Sequence, residues 1–185
     1  MFLDPADYGF IGELEANWQV VRDELLRLES TDFRHWPERF LYDGRWDVFG
    51  LYAFGEKLEQ NCALCPETAR LVEQIPGMTT AGFSSLAGGA HIKPHVGYTN
   101  EVLRCHLGLV VPPGCSLRVG ADEQAWREGE CLVFDDTIEH EAWNRSEVTR
   151  VVLLIDFRRD AEQGRLGGAA AHPEALKPFL KTIAG

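Results

Sequence analysis

Long apolar runs are missing from this chain. The longest purely aliphatic stretch is Val-Val-Leu-Leu-Ile at 151–155, far short of the roughly 20 residues that cross a bilayer as a helix. Basic residues are scarce too: 18 Lys and Arg stand against 29 Asp and Glu, a formal net charge of -11. Phosphate binding needs a basic surface, so this balance argues against a nucleic-acid partner. It argues equally against charge-driven docking on an anionic membrane. The opening stretch 1–10 has no basic segment followed by an apolar one, so no signal peptide is expected. Five cysteines is an odd count, and without an export signal it predicts reduced thiols in a cytoplasmic protein. Cys62 and Cys65 have the spacing of a redox motif but no second pair for zinc. Their apolar spacer and the helix expected after them predict packed thiols.

The 185 residues, 45% apolar and 25% charged, suit one domain spanning 1–185 with a substantial core. Ile11, Leu14, Trp18, Val21, Leu25 and Leu28 recur at helical spacing and predict one amphipathic helix over 11–28. Turn signals at Trp36-Pro37 and Asp43-Gly44 precede a strand expected at 46–53. Pro66 opens, and Pro76-Gly77 closes, a short helix. After these N-terminal elements (10–76) the character changes. From about 79 to 160 short β-prone stretches alternate with Gly, Pro and Asp clusters, which predicts a mainly β sandwich or barrel with flanking helices. Residues 116–120 are expected to pair with 125–129 across a tight acidic turn. The Gly/Ala-rich stretch 161–185 reads as a weakly helical tail.

Two of only six histidines stand in His91-Ile-Lys-Pro-His95. A common non-haem iron site would continue His-x-Asp or His-x-Glu, but two positions after His95 comes Gly97, which has no side chain. Either His95 is not a ligand or the site has one protein ligand fewer. His140 follows an apolar strand that ends in Asp135-Asp136, and Arg150 opens another strand ten residues later. The strand after His95 carries Arg104 and His106. In a small double sheet, His95 and His140 can meet at the mouth with Arg150 pointing inward. Such a set can hold Fe(II) while the arginine grips the far carboxylate of a chelating keto acid. Each residue has an ordinary alternative, since a single histidine at a strand end is more often a surface or core residue, and Arg150 suits a solvated edge. His91, across a proline, reads as a loop residue, and Trp18, Trp36 and Trp126 read as packing.

The blocks Gly-Ala-His-Ile-Lys-Pro-His-Val-Gly-Tyr-Thr-Asn (89–100), Leu-Arg-Cys-His-Leu-Gly-Leu (103–109), the 131–144 segment around His140, and Arg150-Val-Val-Leu-Leu-Ile-Asp-Phe closely resemble the catalytic domain of the aspartyl/asparaginyl β-hydroxylase family. The resemblance runs from about Trp46 to Phe157. It implies a double-stranded β-helix (jelly-roll, cupin-like) enzyme that uses Fe(II), 2-oxoglutarate and O2. It also implies two histidine ligands, His95 and His140, with glycine where an acid would stand. Arg150 then corresponds to the arginine for the distal carboxylate of 2-oxoglutarate. Ser84, Arg104, His106 and Trp46 correspond to further co-substrate contacts, and Asp135 and Asp136 to residues that orient the His140 turn. The implied reaction is hydroxylation of an unactivated carbon, in this family the β-carbon of an Asp or Asn residue. The substrate would be a small molecule, a carrier-bound amino acid or a peptide. Halogenation at the vacant ligand position and a non-catalytic metal-binding module are the alternatives. There is one departure. The family's enzyme for epidermal-growth-factor-like domains has a substrate-binding arginine two positions before the Arg-x-His, and here that position is Val102. A substrate acid would then need another cation, with Arg45 and Lys93 the nearest in sequence.

Overall fold

The larger of two antiparallel sheets is built around β13 (Arg150–Arg158), one of its nine-residue strands. The computed structural model describes residues 1–160, so the weakly helical tail expected over 161–185 lies outside the described residues. Before β13 in the chain come β1 (Phe2–Leu3), β2 (Arg34–His35), β3 (Tyr42–Asp43), β4 (Trp46–Ala53), β5 (Glu56–Lys57), β6 (Met78–Leu86), β7 (His91–His95) and β8 (Val102–Val110). These are followed by β9 (Cys115–Val119), β10 (Asp122–Ala125), β11 (Cys131–Phe134) and β12 (His140–Asn144). The large sheet has the order β1-β11-β8-β13-β6-β4-β2, with β5 on β4, and the small one β10-β9-β12-β7-β3. The sheets therefore extend beyond the 79–160 core expected from sequence, because β4, expected at 46–53, pairs with β6 along most of its length.

Alternation along β13 sorts its side chains. Leu153, Ile155 and Phe157 join a core with Ile11, Leu14 and Val21 of the helices. Val152 faces the other way, into a second core with Trp46, Leu86 and Phe134 between the sheets. A strand covered on both faces needs apolar residues in succession, which explains Val151–Ile155.

The helices are α1 (Ile11–Ala16), α2 (Trp18–Leu25), α3 (Glu59–Leu64) and α4 (Pro66–Glu73). The single helix expected over 11–28 is divided at Asn17. Its side-chain amide donates to the Glu13 carbonyl at 2.8 Å, competing with the backbone as short polar side chains do inside helices. Both halves still present their apolar residues to the sheet. Buried Glu24 on α2 accepts from the Glu67 and Thr68 amides at 3.0 and 2.8 Å and from the Thr68 hydroxyl at 2.6 Å. It thereby caps the start of α4, where Pro66 has no N–H to satisfy. Cys62 and Cys65 are buried free thiols between α3 and α4, with Cys65 pushed up to about 12 by burial. This bears out the packed reading. The hairpin forms, but with β10 at 122–125 and Ala125 opposite Ser116. The acidic segment is the strand itself, and the turn is Gly120-Ala121, with Gly120 at φ 62°. That register leaves Trp126 free to turn into the space between the sheets.

Candidate functional site

His95 and His140 stand directly opposite each other on the paired strands β7 and β12, with ring centroids 4.2 Å apart. His95 Nδ1 lies 2.7 Å from the Lys93 carbonyl and His140 Nδ1 2.9 Å from that of Ile138. A carbonyl only accepts, so each Nδ1 carries the proton and each Nε2 keeps its lone pair. Burial lowers the pKa of both. His140 falls to about 3, with His95 and Arg104 adding to the effect. The rings are therefore neutral at physiological pH, and His140 Nε2 is buried with no partner among the described residues. Two neutral imidazoles with fixed tautomers and unused nitrogens fit the donor set of a divalent metal. Among the described residues no three His, Cys, Asp or Glu side chains converge as a metal cluster, so the candidate centre is the histidine pair.

Gly97 explains why no acid follows His95. A Cβ built there would lie 2.5 Å from Asp136 Cγ, because the Asp136 carboxylate already fills that space. The Gly97 amide donates to the Asp136 carbonyl at 2.7 Å. Burial raises the Asp136 pKa against the opposing pull of Arg104. Asp135 points elsewhere, accepting from Thr137 and pairing with Arg159. His91 is also outside the site, stacked on Trp143 and bonded to Glu141 at 2.9 Å.

Behind the histidines is a narrow cleft that brings together Trp46, Ser84, His106, Trp126 and Arg150. Trp46 Nε1 donates to Ser84 Oγ at 3.0 Å. Arg150 is 1% exposed, and no carboxylate is paired with it among the described residues. Its Nη1 is 3.5 Å from the Ser84 carbonyl, its guanidinium lies 4.6 Å over the Trp126 ring, and its Nε has no partner. Burial lowers its pKa to about 10. Buried His106 has no partner on either ring nitrogen among the described residues, and burial, Arg104 and Arg150 hold its pKa well down. Buried charges and ring nitrogens without partners are costly. The cleft therefore suits an anion that meets both.

Arg104 lies on the boundary between this cleft and a wider outer chamber. Its Nε and Nη2 hold Asp156 in a two-point pair at 2.7 and 2.9 Å, and Nη2 is 3.4 Å from Asp136. The chamber continues past His95 between Leu41, Phe54, Thr80, Val96, Val102 and Leu154, with Phe40 and Tyr98 exposed at its mouth. Val102, the departure noted in the sequence, is thus an apolar chamber wall. Arg45 and Lys93 are not brought to it: they pair with Asp47 and Asp43 and do not line the chamber. Trp126, Asp156 and Phe54 were missed as site residues. Trp126 was read as packing, and nothing in its sequence neighbourhood distinguished it from Trp18 and Trp36.

Two antiparallel sheets enclose the site, with the histidine pair on neighbouring strands of the smaller one and a buried basic cleft behind it, and this architecture is a jelly roll. A prolyl-4-hydroxylase from Pseudomonas putida has this fold too, with a TM-score of 0.53 over 77% of this chain and 87% of that one, at 18% identity. The model of the aspartyl/asparaginyl beta-hydroxylase family matches residues 15–160, and the chain belongs to that family. It is 42% identical over 195 residues to an ornithine lipid ester-linked acyl 2-hydroxylase of Rhizobium tropici, covering 96% of this chain and 68% of that protein. It is 35% identical over 164 residues to the human aspartyl/asparaginyl beta-hydroxylase, covering 82% of this chain but only 22% of the human protein. Among the described residues no helix is long and apolar enough to cross a membrane.

Proposed function

We propose that this hydroxylase depends on Fe(II) and 2-oxoglutarate and oxidises a C–H bond in the acyl chain of a lipid-like substrate. The observation that carries the reading is the pairing of two lone-pair-bearing Nε2 atoms with a buried arginine that has no acid among the described residues. His95 and His140 would hold the metal. Arg150 would take the distal carboxylate of 2-oxoglutarate in a two-point pair, which satisfies the charge that burial leaves exposed in energy terms. Ser84 Oγ, oriented by Trp46, and neutral His106 would bond the same carboxylate. Arg104 has Nε and Nη2 occupied, so its contact with the co-substrate falls to Nη1. Trp46 and Trp126 exclude water from the cleft. Bound iron would supply O2 activation coupled to decarboxylation of the keto acid to succinate.

The chamber supports an acyl substrate over an Asp or Asn side chain. Arg104 is the chamber's only cation among the described residues, and Asp156 and Asp136 already hold it. A substrate carboxylate would find no repayment for its desolvation beside Val102 and Leu154, whereas an alkyl chain gains from every buried methylene. The printed name of the Rhizobium tropici relative points the same way. Halogenation is disfavoured because the place beside Gly97 that an anion would take holds the Asp136 carboxylate. A non-catalytic module is disfavoured because a structural metal has no need of an unpaired Arg150. The test is succinate formation from 2-oxoglutarate with Fe(II) and O2, on ester-linked acyl lipids and on Asp-containing peptides. Turnover coupled to lipid alone is expected, and coupling to Asp peptides alone would overturn the substrate.

A further inference from the structure

The chamber has a strained residue in its wall. The turn from β4 to β5 is a two-residue hairpin with Ala53 opposite Glu56, and both central residues have positive φ, 52° at Phe54 and 85° at Gly55. Turns of this kind favour Asn-Gly and Asp-Gly, because a left-handed backbone crowds a Cβ against the following carbonyl. Phe54 is the one non-glycine residue with positive φ among the described residues, and for a bulky side chain that is an outlier. Such residues persist where their surroundings over-determine them, and they concentrate at functional sites. Here the Phe54 side chain packs against Val48 and Ala53, as Trp36 and Leu58 also do, and its amide donates to Thr80 Oγ1 at 3.4 Å. The same ring forms chamber wall beside Thr80 and Leu154.

Its place along the sheet gives the wall a purpose. Trp46 is level with Leu86, and Leu86 with Arg150, at the co-substrate end. Leu154 is four residues further along β13, about 13 Å at the usual rise, and lines both cleft and chamber. Phe54 is eight residues along β4 from Trp46, about 25 Å less the shortening at the Gly50/Tyr52 irregularity. It therefore stands roughly 10 Å beyond the level of Leu154. We propose that Phe54 closes the far end of the chamber and sets the length of alkyl chain accepted beyond the reacting carbon. This inference rests on the acyl reading above.

Straight-chain alcohols from hexanol to tetradecanol, titrated into metal-free protein, test it through the fluorescence of Trp36 and Trp46, which line the chamber. In the wild type, affinity rises about fourfold per added methylene until the chain meets the wall, and then levels. Phe54→Gly suits the turn without strain and opens the wall, so the break moves to longer alcohols. Phe54→Leu moves it less, and Phe54→Trp moves it to shorter ones. Should Phe54→Gly fail to fold, the Leu and Trp variants carry the comparison. A break at the same length in every variant overturns the role of Phe54 and leaves the acyl reading standing. No binding of any alcohol by the wild type overturns both.

Discussion

Replacing Arg150 by methionine sets stability against function. The folded chain keeps this guanidinium 1% exposed and without a carboxylate among the described residues, and burial lowers its pKa from 12.5 to about 10. That displacement corresponds to about 3 kcal/mol against the charged form. Methionine fills the space of the stem and removes the charge. The lost contact with Trp126 gives back about 0.5–2 kcal/mol. Arg150→Met should therefore be more stable by about 1–3 kcal/mol, in line with apolar replacements of buried ions. For a chain of this size that raises Tm by roughly 2–12 °C. The response to 2-oxoglutarate goes the other way. At a hundredfold excess over Kd the co-substrate stabilises the wild type by about 2.7 kcal/mol, a further rise of roughly 5–10 °C. Loss of the two-point partner costs about 2–4 kcal/mol of binding, or roughly 30- to 1,000-fold, which removes most of that rise. Arg150→Lys should rescue little, since an ammonium has no planar fork. The assay is thermal denaturation of both proteins with Mn(II), which prevents turnover, with and without 2-oxoglutarate. A variant that melts below the wild type yet keeps the full response would refute the reasoning.

His95→Ala should abolish Mn(II) binding in calorimetry and succinate formation while the far-ultraviolet circular dichroism is unchanged; retained metal affinity would remove His95 from the centre. Gly97→Asp should not install a third ligand. Its Cβ meets the Asp136 carboxylate, so overpacking of about 1–3 kcal/mol should lower Tm without tightening Mn(II) binding, and tighter binding at unchanged Tm would contradict that. The metal-free protein should lose stability as pH falls through the interval from 6.5 to about 3, the unfolded and folded pKa of His140. There the unfolded chain binds the extra proton, so stability rises with pH by up to about 1.4 kcal/mol per unit for this one residue. In His140→Phe the slope measured by urea unfolding at pH 6 and pH 4.5 should flatten by about one proton, and an equal slope in both proteins would show that His140 is not held neutral.

The histidine pair was legible because its geometry follows from local facts: each residue marks a strand end, and the family's wording fixes the register in which they face. Strand β4 and helix α4 were legible for similar reasons, since turn residues and proline mark their ends. The division at Asn17 was not, because apolar spacing continues through the break and only a side-chain bond to the Glu13 carbonyl makes it. The hairpin register slipped because an acidic run reads as a turn, whereas on the exposed edge strand β10 its charges cost nothing. Arg45 and Lys93 were proposed from sequence proximity to Trp46 and His95. Successive side chains of a strand face opposite ways, so Arg45 is turned from the site that Trp46 enters. Lys93, two residues before His95, would share its face but for the irregularity in the β7–β12 register between His140 and Ala142, and it pairs with Asp43 instead.

Period two along β13 also shows why Arg150 has no acid beside it among the described residues. Arg150, Val152, Leu154 and Asp156 share the inner face, so a single strand runs from cation through two apolar residues to an acid. Asp156 lies opposite Arg104 on β8 and closes it with two hydrogen bonds. Arg150 is three such steps away, about 20 Å along the strand, and out of that carboxylate's reach. The gradient therefore treats the two arginines differently: Arg104 is satisfied within the protein, and Arg150 is where the proposed reading would place the carboxylate of 2-oxoglutarate. On that reading the apolar residues between them would separate a place for a carboxylate from a place for an alkyl chain, with His95 and Leu154, which line both cleft and chamber, where the two would meet.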